Sequence, residues 1–411
     1  MSTQKQLQIS KYYEQLKSDF NVYKKELYKQ IDKLEQIIND EFTLNSSQEE
    51  QQKFFEKIWK QQSKIASIKL SFEKLKSDLK EALKSSDDIK KEALQREKTF
   101  NGMTAKEWTL SSRNVWNDVS SPRKPYHKEH GAVYPYKLVD RLIKMYSKKG
   151  DIVFDPFSGT STTLNAAYNL GRNSIGIELS SRFFNLSKEI IKDSKEFPLI
   201  NHSSILNDDS NRFELVTNES SELLNLPMNT TLKLYKDDCR NLSKYVLKDS
   251  VQTLITSPPY ADFIHKSIDD RNRVHKSSLI KLANNSTVNV YSDHENDLGN
   301  LDYKSFMLEI EQLMKESYEV IKPGGYSIWV VKDYKDKDHF TSYLDFHTDI
   351  SIAGKKAGFF YHDLIVWDQN EQRSLVLLGY PSKFHTNQNC SFIVVLRKPS
   401  EKEMKLIKKG I

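Results

Sequence analysis

The sequence predicts an α/β protein, one mostly parallel sheet preceded by a long helical arm, and three observations carry that expectation. Up to Arg96 the chain holds no glycine or proline and is dominated by Lys, Glu, Gln, Leu and Ile, a composition that forms long helices. Beyond it, short apolar runs alternate with stretches of helical period. Two of those runs break directly into turn-forming strings, Asp155-Pro156-Phe157-Ser158-Gly159-Thr160 and Ser257-Pro258-Pro259-Tyr260, at the strand ends where open α/β sheets bind ligands.

In chain order, residues 1–98 read as a helical hairpin or coiled coil. Leu27, Ile31, Leu34 and Ile38 alternate four and three apart, as do Ile65, Ile68, Phe72, Leu75 and Leu79, with the polar Thr43 to Gln48 between the two stretches. So narrow an apolar seam has to be covered, by the arm's own second helix, by a second copy of the chain or by another protein. Residues 99–125 read as a linker. Asp151 to Phe154 reads as a buried strand leading into a helix over Thr162 to Leu170, and Val251 to Thr256 as a further buried strand. Tyr303 to Val320 has a helical period, stops at Lys322-Pro323-Gly324-Gly325 and feeds the run Tyr326 to Val331. Phe340 to Ala357 reads as a helix, and Asp363 to Trp367 and Ser391 to Leu396 as strands of an antiparallel closing hairpin.

The two strings have a chemical reading. Gly159 lets a backbone approach a ligand with no Cβ in the way, and the helix that follows begins with free N–H groups. Asp155 is expected to face the charged end of that ligand, which suits a cation and repels a pyrophosphate. In the second string, Pro258 and Pro259 fix their own φ and lack an N–H, so the loop is stiff. The Ser257 hydroxyl and the Pro258 carbonyl then offer acceptors for an amino group, and Tyr260 a flat face on which a nucleobase can stack. Each string alone also has a plain structural reading, as a strand-to-helix turn or a surface turn. Their joint placement at strand ends makes the chemical one specific.

On these residues the chain resembles the amino-methyltransferases of nucleic acids, which methylate the exocyclic nitrogen of cytosine or adenine with S-adenosylmethionine. The resemblance covers about Tyr126 to Lys398. It implies a Rossmann-like methyltransferase fold, with a mostly parallel seven-stranded sheet, over residues 126–399. His130-Gly131-Ala132-Val133-Tyr134-Pro135 resembles the segment that packs on the donor's methionine part, which implies donor contacts for His130 and Pro135 beside Asp155, Pro156, Phe157, Ser158, Gly159 and Thr160. Ser174-Ile175-Gly176-Ile177-Glu178 resembles the strand whose terminal acid takes the ribose hydroxyls, and Asp237-Asp238-Cys239-Arg240 the one whose aspartate, assigned to Asp238, reaches the adenine amine. Gly159-Thr160-Ser161-Thr162 departs from the commoner pattern, in which a second glycine is frequent. Ser rather than Asp at position 257 resembles the cytosine-amine branch more than the adenine branch.

The mechanism so implied is direct transfer with Ser257, Pro258, Pro259 and Tyr260 as the catalytic string. It needs no cysteine nucleophile, and neither Cys239 nor Cys390 lies in a Pro-Cys loop. Two polar insertions, 194–228 and 261–300, interrupt the core. The first reads as a flexible excursion. The second starts beside Tyr260 and carries Arg271, Arg273, His275 and Lys276, expected contacts to nucleic-acid phosphate.

The net charge of +6 over 411 residues permits a polyanionic partner without identifying one. DNA is the expected partner and RNA the less favoured one; an inactive domain serving as a nucleic-acid- or partner-binding subunit is the reading from another class. Two cysteines make no disulfide framework, no metal-ligand cluster is visible, and no apolar run approaches a membrane span. The expected setting is intracellular, cytoplasmic in a bacterium or nuclear in a eukaryote, with a restriction-modification role by resemblance.

Overall fold

The computed structural model describes residues 18, 21–37, 48–82, 99, 101–120, 134–193, 203–218, 229–261, 294–334, 343–370, 386 and 388–409. The chain divides into two units, Met1–Glu97 with Asn370–Leu375, and Lys98–Gln369 with Val376–Ile411. In the first, helix α1 (residues 21–37) and helix α2 (Gln48–Ala82) meet through a polar contact. The amide of the buried Gln61 donates to the Gln30 carbonyl at 2.7 Å and to Gln30 Oε1 at 2.8 Å, so both amides are satisfied inside the helix pair. Ile38 and the side chains of Phe72, Leu75 and Leu79 lie outside the described residues.

The second unit is built on one sheet. Its strands are β1 (Val115–Trp116), β2 (Ile152–Asp155), β3 (Asn173–Glu178), β4 (Ser203–Asp208), β5 (Arg212–Thr217), β6 (Thr231–Lys236), β7 (Val251–Thr256), β8 (Ile321–Val331), β9 (Phe360–Asp368) and β10 (Cys390–Arg397), in the spatial order β1-β9-β10-β8-β7-β2-β3-β6-β5-β4. From β6 to β8 all neighbours are parallel. β10 then runs antiparallel to both β8 and β9, the expected closing hairpin. Those seven strands in that order are the Rossmann-like methyltransferase sheet, and the order reverses between β2 and β7, the strands that carry the two strings.

Helices pack both faces. α4 (Tyr136–Tyr146) buries Leu138, Val139 and Leu142 on one. α7 (Tyr303–Val320) and α8 (Phe346–Ala357) bury Phe306, Ile310 and Ile350 on the other. α5 (Thr162–Asn169) follows β2, α6 (Ser181–Lys192) follows β3, and α9 (Glu401–Lys408) follows β10. α8 is described from Phe346, since the earlier part of the expected helix, 340–342, lies outside the described residues and 343–345 precede it.

Three expectations are corrected. The sheet has ten strands, not seven. The segment 99–125 is no mere linker: α3 (Ala105–Ser111) opens with a capping box on Thr104 and Glu107, and β1 adds an edge strand parallel to β9. Trp116, 1 % exposed, drives this by burying its ring while its indole N–H donates to the Arg113 carbonyl at 2.7 Å. The first insertion is likewise ordered where it is described, as the β4–β5 hairpin on the far edge. Phe213 and Leu215, two apart, turn inward onto the cluster with Leu164, Tyr168 and Phe184, and the Tyr168 hydroxyl bonds Thr217 Oγ1 at 2.7 Å.

Candidate active site

The loop after β2 turns on a fully buried carboxylate. Asp155 accepts from Thr163 Oγ1 at 2.6 Å, Thr256 Oγ1 at 2.7 Å, the Tyr134 hydroxyl at 3.0 Å and the Phe157 N–H at 3.1 Å. Tyr134 and Thr163 also bond each other. Burial pushes the Asp155 carboxyl up, against the pull of these donors, and drives the Tyr134 phenol up as well. Asp155, expected to face a ligand, is not in the cavity lining: it ties β2, β7, α5 and the segment before α4 together. The reason is steric, since a side chain alternating inward at the last strand position has four donors around it before a cavity begins.

What faces the cavity is the backbone beyond it. Gly159 takes φ +54°, and Ser161, the residue before α5, takes φ +60° and ψ +30°. Ser161 thus adopts the left-handed conformation that a second glycine would adopt there. The loop is fastened from two sides, by Ser158 N–H to the Ile177 carbonyl at 2.9 Å and by Ser187 Oγ to the Gly159 carbonyl at 2.8 Å. Gly176 of β3 has no room for a side chain, because a Cβ there would stand 2.7 Å from Ser158 Oγ.

Glu178, the last residue of β3, accepts from Gly159 N–H at 2.7 Å and Ser180 N–H at 2.8 Å. Burial lifts its carboxyl to about 8, against those two bonds and with help from the negative charges of Asp297 and Asp155. Asp238, after β6, caps the short 3₁₀ turn Cys239–Lys244 and grips Arg240, whose Nη2 reaches Asp238 Oδ2 at 2.6 Å. Cys239 follows it into the cavity wall, and burial pushes its thiol well up, which removes it as a nucleophile at neutral pH.

These pieces enclose one cavity of about 680 Å³, part of it open to solvent. Phe157, Gly159, Glu178 and Asp238 line it together with Ser257, Pro258 and Pro259. The two strings, about a hundred positions apart in sequence, therefore come together at a single site. Leu179 and Phe183 give it apolar surface. A third stretch of the lining, Asn296 to Leu298, was missed by sequence reasoning: it is the tail of the second insertion, docked where Arg240 Nη2 donates to the Asn296 carbonyl at 3.1 Å and where Gly299 packs on Pro259. Its only signal was the Asp-Leu-Gly-Asn turn. Tyr260 follows the cavity wall and packs edge-on against Tyr334 and Phe346, each 5.8 Å between centroids.

Pro156 lines the cavity; Ser158 and Thr160 are buried in the same loop, and Pro135 stands at the start of α4 without lining the cavity. Thr160 Oγ1 is buried with no hydrogen-bond partner. His130, Arg271, Arg273, His275 and Lys276 lie outside the described residues. No helix among the described residues is long and apolar enough to cross a membrane.

A doubly wound sheet whose order reverses at an acid-lined cavity, with the Pro-Pro string in its lining, has the form of a ligand site at a switch point. Known proteins similar to the chain are as follows. Residues 3–189 match the family model described as DNA methylase. Type II methyltransferase M.MthZI of Methanothermobacter thermautotrophicus is 40% identical over 105 residues, 25% of this chain and 29% of that protein, and M.BglI of Bacillus subtilis is 36% identical over 112 residues, 25% and 31%. M.HinfI of Haemophilus influenzae is 33% identical over 108 residues, 24% and 30%. The chain spans less than a third of the length of these relatives. Among solved structures, a Thermus thermophilus protein described as a DNA modification methylase and complexed with S-adenosyl-L-methionine is 21% identical over 39% of this chain and 51% of that one, with a TM-score of 0.25. A methyltransferase of Methanosarcina mazei gives 12%, 63%, 98% and 0.35. Over the matched segments the chain is thus similar to DNA methyltransferases, in line with the resemblance read from the motifs.

Proposed function

We propose that this protein transfers a methyl group from S-adenosylmethionine to the exocyclic amine of a DNA base turned out of the duplex, with cytosine N4 as the first-choice target. The observation that carries the reading is the single cavity lined by the Phe157–Gly159 loop, Glu178 and Asp238 together with Ser257–Pro259. The site fits such a donor. Apolar rings and three carboxylates, Glu178, Asp238 and Asp297, line it.

Bound there, S-adenosylmethionine supplies an electrophilic methyl group on a positively charged sulfur. The chain's own residues do the rest by position. In this reading Glu178, which lines the cavity at the end of β3, takes the ribose hydroxyls, and Asp238, after β6, accepts from the adenine amine, with Arg240 keeping that carboxylate ordered. Ser257 and the Pro258 carbonyl accept the two hydrogens of the target amine, which frees its lone pair from the ring and aims it. Tyr260 gives the base a face to stack on, worth about 1–3 kcal/mol. Arg271, Arg273, His275 and Lys276, in the insertion that starts beside Tyr260, are the proposed phosphate contacts. Serine at position 257 favours cytosine. The helical arm is the proposed docking element for a second copy or a partner protein.

The test is transfer of labelled methyl from S-adenosylmethionine to duplex DNA, single-stranded DNA and total RNA, followed by nucleoside mass spectrometry. N4-methylcytosine in DNA is the expected product. N6-methyladenine would overturn the base assignment alone, and methylated RNA the substrate; no transfer to any of the three would overturn the reading.

A further inference from the structure

Asp333 follows β8, the strand next to β7, and the two run parallel, so Asp333 and the Ser257–Tyr260 string stand at the same edge of the sheet. Its carboxylate is buried and crowded with donors. The His347 N–H donates to Asp333 Oδ1 at 3.1 Å, His347 Nδ1 lies 2.9 Å from each carboxylate oxygen, and the Tyr343 hydroxyl donates to Oδ2 at 3.0 Å. Asp345 Oδ1 stands 2.9 Å from the same Nδ1. Beside them Leu344 N–H donates to the Tyr334 carbonyl at 2.8 Å, and Tyr334 N–H to the Leu344 carbonyl at 3.3 Å. From β10, Phe392 stacks on the imidazole at 4.1 Å and 15°. Together these bonds clasp the end of β8 to the start of α8.

The clasp has a direction. Each member of the charged pair is next in sequence to a ring: Asp333 precedes Tyr334, and His347 follows Phe346. Those two rings are the ones against which Tyr260 packs edge-on, at interplanar angles of 88° and 62°. Tyr260 is partly buried against the cluster that contains both. Edge-to-face packing prescribes orientation as well as distance, so where Tyr334 and Phe346 stand decides how the Tyr260 ring is presented. Asp333, Asp345 and His347 also place donor atoms within 4.8 Å of one another. Their hydrogen bonds to each other account for that arrangement without an ion.

We infer that Asp333 and His347 are positioning residues for the acceptor base: they hold Tyr334 and Phe346, and through them the ring of Tyr260, without contributing to the donor wall. The inference rests on the reading of Tyr260 as the platform for the target base. The protonated imidazole is the form that suits two carboxylates, and the groups facing it are Asp333, Asp345 and Asp349, with Tyr343 on Asp333 and Cys390 and Lys332 close by. Loss of that proton at alkaline pH weakens the clasp.

The experiment uses the full chain, PCR-amplified DNA of mixed sequence as acceptor and S-adenosylmethionine with a tritiated methyl group. Asp333→Asn, His347→Gln, the double variant and Tyr343→Phe are compared with the unaltered chain. A misplaced platform should lower kcat/KM for DNA about tenfold or more in either single variant, while donor affinity by calorimetry stays within about twofold. The double variant should be no worse than the worse single, as for two members of one clasp. At saturating donor, transfer by the unaltered chain should fall at alkaline pH, and His347→Gln should lack that fall. If Asp333→Asn does not fold, Tyr343→Phe, which removes one bond to the same carboxylate, should show the smaller defect in the same direction. Unchanged DNA kinetics in the variants, or donor affinity falling in parallel with them, would overturn the inference. Should the unaltered chain transfer no methyl at all, the underlying reading fails instead, and the clasp is judged on 3-fluorotyrosine-labelled protein: the Tyr260 resonance, assigned by Tyr260→Phe, must move in His347→Gln, and an unmoved resonance overturns it.

Discussion

The two walls of the cavity are held in place by different means. On the donor side, carboxylates are the fasteners: Asp155 gathers four donors, Glu178 clamps Gly159 and Ser180, and Asp238 holds Arg240. On the acceptor side the string Ser257–Tyr260 is stiffened by two prolines and Tyr260 is seated against rings, with the Asp333–His347 pair beside those rings in sequence. A wall fastened by buried carboxylates should fail by losing its fold, and a wall of prolines and rings by losing alignment. The difference can be broken or sharpened by substitution.

The largest effect is expected at Asp155. Asp155→Ala leaves the Phe157 N–H and the hydroxyls of Tyr134, Thr163 and Thr256 without their common acceptor in a buried place, at a cost of about 3 kcal/mol or more. Urea unfolding should show the loss directly, and donor binding should disappear with it. Tyr260→Ala comes next and fails differently. Removing the stacking face should cost about 1–3 kcal/mol at the acceptor step, a fall in transfer of about tenfold to a hundredfold, with donor affinity and unfolding midpoint little changed. If Tyr260→Ala loses donor binding in proportion, the two walls are not separable.

How far this was legible in the sequence follows the same division. Local signals sufficed at the strand ends: Val251 to Thr256 was read with its observed bounds, and Glu178 and Asp238, singled out at the ends of their strands, line the cavity. The α7 span Tyr303–Val320 was equally plain, because an amphipathic period of that length has no competing reading. What escaped was non-local. Whether Asp155 points into the cavity or into the sheet depends on Thr163, Thr256 and Tyr134, and the hydroxyl 101 positions away leaves no trace beside Asp155 in sequence. Likewise Trp116 within a polar stretch, and Phe213 and Leu215 within an insertion, carry too few apolar positions to announce a strand. They pair because an existing sheet edge supplies the partner. Asn296 to Leu298 reached the cavity for the same reason, by docking on Arg240 and Pro259.

Glu178 gives a prediction of intermediate size. Its folded carboxyl titrates near 8, above the ordinary range, so the free protein holds it protonated at neutral pH. The sign follows from the shift. A carboxyl raised by folding favours the folded chain at low pH, and that contribution is lost as pH climbs from the ordinary glutamate range through about 8. Ribose hydroxyls donating to this carboxyl favour its ionised form and draw the proton off. Donor affinity should therefore rise, by up to about tenfold between pH 7 and 9, over the range in which stability of the free chain falls. Calorimetry at pH 7 in two buffers of different ionisation enthalpy should register proton release on binding. An affinity flat across that range would place the donor's ribose elsewhere than on Glu178.

The smallest expected effect bears on how the donor wall manages with one glycine where a second is frequent. Ser161 stands at φ +60°, a conformation that costs a residue with a Cβ on the order of 1–2 kcal/mol relative to glycine. Ser161→Gly relieves that strain but adds freedom to the unfolded chain worth roughly 0.5–1 kcal/mol, and it removes the 3.2 Å contact between the Ser161 and Ser158 hydroxyls. The net change in unfolding free energy should thus be under about 1 kcal/mol, in the stabilising direction. Ser161→Val sharpens the point, since a β-branched side chain tolerates this conformation least; it should lose stability and donor affinity together. Were valine accepted without loss, the loop would have to settle into another backbone path, and the close approach of Gly159 to Glu178 would not survive it. The serine is then a substitute for glycine in conformation, with its hydroxyl turned back onto Ser158 as partial compensation for the strain.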